Sequence, residues 1–144
     1  MLYSSLGYYA LLLGFVSSLP IFFFSFKNFK DKKILDYKII TFSFIQLFLV
    51  FISFLGLIFS FIYSDFSNET VFNNSHTTKP LFYKIAGTWG NHEGSLLLWL
   101  LVLTLFIFIF LIKSRELLKK YRILTVLFQR NNNYWIFYFF NKII

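Results

Sequence analysis

Three long apolar runs separated by charged loops decide what this chain can fold into. Residues 6–26, 39–63 and 88–112 each reach about the 20 residues with which an α-helix crosses a ~30 Å hydrocarbon core. Inside lipid such a run must satisfy its own backbone hydrogen bonds, which a helix does. The composition agrees: of 144 residues, 58% are hydrophobic and only 14% charged, where a soluble domain carries about 25% charged residues. The sequence therefore predicts an all-α, polytopic integral membrane protein with three transmembrane helices in a single membrane domain over 1–144. Serines and Gln46 within the runs can be satisfied by the backbone or by a neighbouring helix. Pro20, late in the first run, predicts a kink.

The third run is the least regular. Its uninterrupted part, 96–112, has 17 residues, or roughly 25 Å at 1.5 Å per residue, short of a typical core. Thinning of the bilayer, or drawing Glu93, Gly94 and Ser95 inward, makes up the difference.

Loop charge gives an orientation. Lys27, Lys30, Lys32, Lys33 and Lys38 lie between the first two runs, and Lys113, Arg115, Lys119, Lys120, Arg122 and Arg130 follow the third, whereas the connection between the second and third holds only Lys79 and Lys84. By the positive-inside rule, 27–38 and 113–133 are inner loops, 64–87 is an outer loop, and the N-terminus is outside. The net charge of +8 is then a juxtamembrane charge facing anionic headgroups. No recognition motif accompanies it, and nucleic acid is excluded as a partner. The aromatic tail 134–144, YWIFYFFNKII, is too short to cross and reads as an incomplete fourth span or an interfacial segment.

There is no cysteine, hence no disulfide, no CxxC pair and no thiolate metal site. His76, His92 and scattered carboxylates do not make a four-ligand metal site, so no metal is assigned. The start of the chain lacks a basic n-region and has too long an apolar block for a signal peptide, so it reads as a retained first span. The abundance of Phe (23) and Tyr (9), with Lys, Asn and Ile, is that of A/T-rich codons. It points to an organelle-encoded protein of the mitochondrial inner membrane, with a bacterial plasma membrane as the alternative.

The unusual feature is a polar heptad, WGNHEGS (89–95), that abuts the third apolar run. If the helix begins near Thr88, then Trp89, His92, Leu96, Trp99 and Leu103 fall on one stripe at spacings of three and four. Gly90 and Gly94 then form a G-x-x-x-G pair for close helix packing. Glu93 is an ionisable residue at the membrane boundary, a functional candidate by default. Each residue also has a structural reading: interfacial Trp, an Asn91 helix cap, Glu93 on the helix dipole. Their density marks Trp89, Gly90, Asn91, His92, Glu93, Gly94, Ser95 and Trp99 as a candidate contact surface. No nucleophile, base and orienting acid are placed together, so no catalytic residue is assignable.

The string YKIAGTWGNHEGSLLLWLLVL (83–103) resembles the segment around the third span of the CcmF-type cytochrome c haem lyase family. Eleven consecutive residues, WGNHEGSLLLW, carry the resemblance, which covers about the first quarter of such a protein. It implies an N-terminal fragment or split subunit of a lyase that joins haem to apocytochrome c on the outer face of the membrane. The implied cofactor is haem, held by the assembled complex. The implied partners are the remaining haem lyase subunits or fragments, apocytochrome c, a haem carrier and the lipid bilayer. The heptad would face the intermembrane space or periplasm, with Trp89 and Trp99 as aromatic walls and His92 and Glu93 as polar contacts. The family's Trp-Trp-Asp haem-handling segment is absent here, so His76 and His92 do not inherit its ligand roles, and the chain is not expected to be catalytic alone. The competing reading is a small structural membrane subunit of a respiratory complex with no chemistry of its own.

Overall fold

The computed structural model describes residues 2–30, 36–114 and 123–127. The chain order is α1 (Leu2–Lys30), α2 (Asp36–Ile62), the short α3 (Glu69–Asn74) and α4 (Leu81–Gly87), and α5 (His92–Lys113). No strand occurs among the described residues, and α1, α2 and α5 are each long and apolar enough to cross a membrane. α1 continues through Pro20, whose ring removes one backbone donor and leaves the Val16 carbonyl without its usual helical partner. The aromatic tail 134–144, and with it the expected fourth or interfacial segment, lies outside the described residues. The expected inner loop 113–133 is not wholly loop: 123–127 is helical.

In lipid, two helices gain little from hiding apolar surface and associate through close backbone approach. The buried face of α1 is accordingly a seam of small residues, with Gly7, Ala10, Gly14, Ser18 and Ser25 at spacings of three, four or seven. α2 answers with Ser43, Ser53, Gly56 and Ser60. Contact is closest at the glycines: a Cβ on Gly56 would lie 2.9 Å from the Gly7 Cα and 3.0 Å from the Tyr3 carbonyl oxygen. Two buried hydroxyls at the seam are satisfied within their own helix, Ser17 donating to the Gly14 carbonyl at 2.7 Å and Ser60 to that of Gly56 at 2.9 Å, whereas those of Ser18, Ser25 and Ser43 are buried without a hydrogen bond among the described residues.

α2 is the central helix and packs along both α1 and α5, while α1 and α5 scarcely approach one another. Leu11, Val50, Phe54, Leu97 and Leu100 form one apolar cluster. Ile21, Ile39, Ile107, Leu111 and Val126 form a second, nearer the other end, to which 123–127 contributes its valine.

The start of α1, the end of α2, the connection 63–91 and the start of α5 meet at one end of the bundle. Tyr3 stacks on Tyr63 at 5.1 Å, and the Asn68 amide donates to the Ser4 hydroxyl at 3.2 Å across 64 residues of chain. α2 stops there because Ser64 turns left-handed (φ 53°), letting the Ser64 N–H bond the Phe61 carbonyl and the Asp65 N–H the Ser60 carbonyl. Both lysines of the connection are engaged: Lys84 donates to the Ser64 hydroxyl at 2.6 Å and Lys79 to the Asn74 carbonyl at 2.8 Å. Lys27, Lys38 and Lys113 lie toward the opposite end, where the Lys38 ammonium sits 5.5 Å from the Phe24 ring centre.

Candidate functional site

The heptad builds a sharp corner between α4 and α5, and most of its residues have a task in that corner. α5 begins at His92, not near Thr88, because Asn91 takes the cap position with an extended backbone, and its Oδ1 accepts from the Gly94 N–H at 2.6 Å. The same amide reaches back, its Nδ2 donating to the Gly87 carbonyl at 2.8 Å, so one side chain ties the end of α4 to the start of α5. The Gly90 N–H bonds the Ala86 carbonyl at 3.1 Å. Thr88 is fully buried under the turn. Gly87 leaves room for the Phe61 ring, which a Cβ would meet at 3.3 Å. Gly94 lies so close to the Thr88 carbonyl that a Cβ would overlap it.

Two expectations are corrected by this geometry. Gly90 belongs to the turn and not to a helix, and the nearest neighbour of Gly94 is the backbone of its own corner, so the pair does not form a G-x-x-x-G packing face. The tight helix crossing is made by Gly7 and Gly56 instead. The stripe from Trp89 to Leu103 is likewise broken, since Trp89 precedes the helix. His92, Leu96, Trp99 and Leu103 remain aligned on a flank of α5, away from the buried face of Leu97, Leu100, Thr104, Ile107 and Leu111. Trp89 is 44% and Trp99 63% exposed, and His92 is exposed as well. Ser95 donates to the His92 carbonyl at 2.9 Å.

Asn91, Gly90, Gly94 and Ser95 are thus accounted for by the corner. Glu93 lines a recess. Ser4, Asn68, Glu69, Thr70, Asn73 and Glu93 surround a polar mouth of about 260 Å³. Below it a narrower extension of about 80 Å³ runs past Gly7, Tyr8, Leu11, Ser53, Leu57 and Leu97, between α1 and α5 with α2 as its floor. The sequence drew attention to Glu93 but not to this recess, because Ser4, residues 68–73 and Glu93 meet only in the folded chain.

Fifty-eight residues, 40% of the chain, are 60% identical to the cytochrome c-type biogenesis protein CycK of Rhizobium meliloti. A stretch of the same length is 55% identical to the cytochrome c-type biogenesis protein ccl1 of Rhodobacter capsulatus, and 66 residues are 41% identical to a probable cytochrome c biosynthesis protein of carrot, Daucus carota. The chain carries a CcmF-type N-terminal part. The match covers 9% of the length of each bacterial relative and 11% of the carrot one, so the chain spans about a tenth of the curated relatives it matches. No family model matches the chain, and no solved structure matches it.

Haem handling is implied by a CcmF-type relationship, and the described residues can be tested for it. The commonest axial ligand of haem iron is a histidine facing an enclosed, porphyrin-sized space. His92 lies on an exposed flank, and the recess is lined by carboxylates, hydroxyls and leucines without a histidine. In this corner, Asn91→Ala is expected to cost about 1–2 kcal/mol through loss of the cap, whereas Asn91→Asp keeps the acceptor for Gly94 and loses only the donor to Gly87. Thermal unfolding in detergent should rank them wild type, then Asp, then Ala; equal loss for both variants would mean that the cap bond carries no weight.

Proposed function

We propose that this chain acts as an N-terminal fragment or split subunit of a cytochrome c haem lyase. It would help deliver or ligate haem to apocytochrome c without catalysing the attachment alone. The observation that carries the reading is the 60% identity over 58 residues to a protein named for cytochrome c-type biogenesis. Its partners are the remaining lyase subunits or fragments, apocytochrome c and a haem carrier, and haem is bound by the assembly. The Lys and Arg distribution favours an orientation with the α4–α5 corner on the outer, cytochrome-maturing side. A mitochondrial inner membrane is the preferred location, with a bacterial plasma membrane as the alternative; named relatives exist in bacteria and in a plant. The reading as a structural respiratory subunit is not favoured by these relatives.

Trp89, His92, Glu93 and Trp99 are the contact residues of this proposal, because Trp89, His92 and Trp99 are exposed and Glu93 lines the recess. On this reading His92→Ala lowers mature, haem-stained cytochrome c several-fold while the protein remains in the membrane at its normal level, since an exposed histidine contributes little to folding. Affinity purification of the native membrane complex should recover further lyase chains and a haem absorbance. Unchanged cytochrome c maturation in the variant, together with a complex that lacks haem, would defeat the proposal.

A further inference from the structure

The recess between α1 and α5 has the form of an amphiphile site. Its mouth holds two carboxylates, Glu69 and Glu93, and no cationic side chain among its lining residues. Both lysines of the connection bond elsewhere, Lys79 to the Asn74 carbonyl and Lys84 to Ser64. Among the described lining residues, the mouth therefore carries negative charge with no cation beside it. Hydroxyl and amide groups of Thr70 and Asn73 stand beside the carboxylates. The narrower extension is walled mainly by Leu11, Leu57 and Leu97, with Gly7 and the hydroxyls of Ser53 and Ser60 between them, beside the exposed ring of Tyr8.

Height selects among amphiphiles. Ser4 is in the first turn of α1 and Glu93 in the first turn of α5, so the polar mouth lies where the apolar spans end and the extension descends alongside them. A bilayer lipid has its charged head at that level and its chains parallel to the helices. We propose that this recess binds a primary-amine phospholipid of the phosphatidylethanolamine type. Its ammonium donates to the Glu69 and Glu93 carboxylates, its phosphate oxygens accept from Thr70 and Asn73, and one acyl chain follows the leucines. A choline head has no N–H to donate and fits less well; an anionic glycerol head meets two carboxylates and is disfavoured. The assignment does not depend on the role in haem attachment and stands or falls separately.

The test uses the full chain in its purified membrane complex, reconstituted in vesicles of equal parts phosphatidylethanolamine, phosphatidylcholine and phosphatidylglycerol and then re-extracted. Lipid retained by the protein is quantified by mass spectrometry. The wild type should retain phosphatidylethanolamine in excess over both others. Glu69→Gln with Glu93→Gln should cut that excess about tenfold, the equilibrium equivalent of one charge-assisted hydrogen bond, and Asp36→Asn, at the start of α2 and so at the far end of the bundle, should leave it unchanged. Glu93→Lys should turn the preference toward phosphatidylglycerol. No excess in the wild type, or an excess that survives the double substitution, overturns the proposal. If circular dichroism shows that the substituted chains have lost helix, the wild-type preference for ethanolamine over choline decides alone.

Discussion

Gly94→Ala is expected to open the α4–α5 corner at a cost of about 3 kcal/mol, the upper range for forcing one methyl group into a filled site. The added Cβ would occupy the space of the Thr88 carbonyl, which is backbone and cannot rotate away as a side chain does. Relief requires the start of α5 and the turn to separate. That pulls the Gly94 N–H away from the Asn91 amide oxygen and loosens the second bond of the same amide to Gly87. The long helices remain inserted, because each satisfies its own backbone, so the damage is local. The chain has no cysteine, so a single Thr88→Cys is a clean reporter. Thr88 is fully buried and its hydroxyl makes no hydrogen bond, so the exchange itself removes no bond. A membrane-impermeant maleimide should label Cys at 88 slowly in the parent and at least tenfold faster with Gly94→Ala, a factor well within a 3 kcal/mol shift in opening. Equal labelling rates would show that the corner is not held by the absence of that side chain.

How the heptad was legible, and how it was not, follows from the same residues. The three spans were plain because long apolar runs leave a chain few alternatives, and the structure places α1, α2 and α5 on them. The start of α5 was less plain, since both Thr88 and Asn91 are residues that cap helices. Asn91 wins through an amide that accepts from one helix and donates to the other, a two-sided role that Thr88 cannot fill with one hydroxyl. Once the start moves to His92, Gly90 leaves the helix and the apparent G-x-x-x-G pair disappears. The true small-residue seam was present in the sequence as Gly7, Ala10, Gly14 and Ser18, opposite Ser53, Gly56 and Ser60. Its spacing by three and four on each helix is the signal that would have found it. The recess had no such signal, because its carboxylates are 24 positions apart in the chain, Glu69 against Glu93, and the serine that joins them belongs to the first turn of α1.

Gly56→Ile should be the most damaging single change in the bundle. Even alanine places a Cβ 2.9 Å from the Gly7 Cα and 3.0 Å from the Tyr3 carbonyl oxygen, distances that require α1 to move outward by several tenths of an ångström. Isoleucine adds three further carbons to a site bounded by backbone on both sides, and its branched Cβ has little rotamer choice in a helix. The packing of small residues along the seam is the main attraction between two helices that have no hydrophobic reason to leave lipid, so separating them at the closest point removes it over neighbouring turns too. The end of the bundle where α1 begins should feel this first: the Tyr3–Tyr63 stack at 5.1 Å and the Asn68–Ser4 bond at 3.2 Å both depend on α1 lying against α2 at Gly56. A Ser4→Cys, Asn68→Cys pair reports on that end, and its oxidative cross-link should form readily in the parent. Yield should fall modestly with Gly56→Ala and about tenfold or more with Gly56→Ile, in line with an overpacking cost of roughly 1–3 kcal/mol or more. Because the recess mouth includes Ser4 and its extension passes Gly7, Gly56→Ile should also abolish selective lipid retention even though both carboxylates are intact. A cross-link yield that is indifferent to the size of the residue at 56 would mean that the glycine contact does not hold α1 in place.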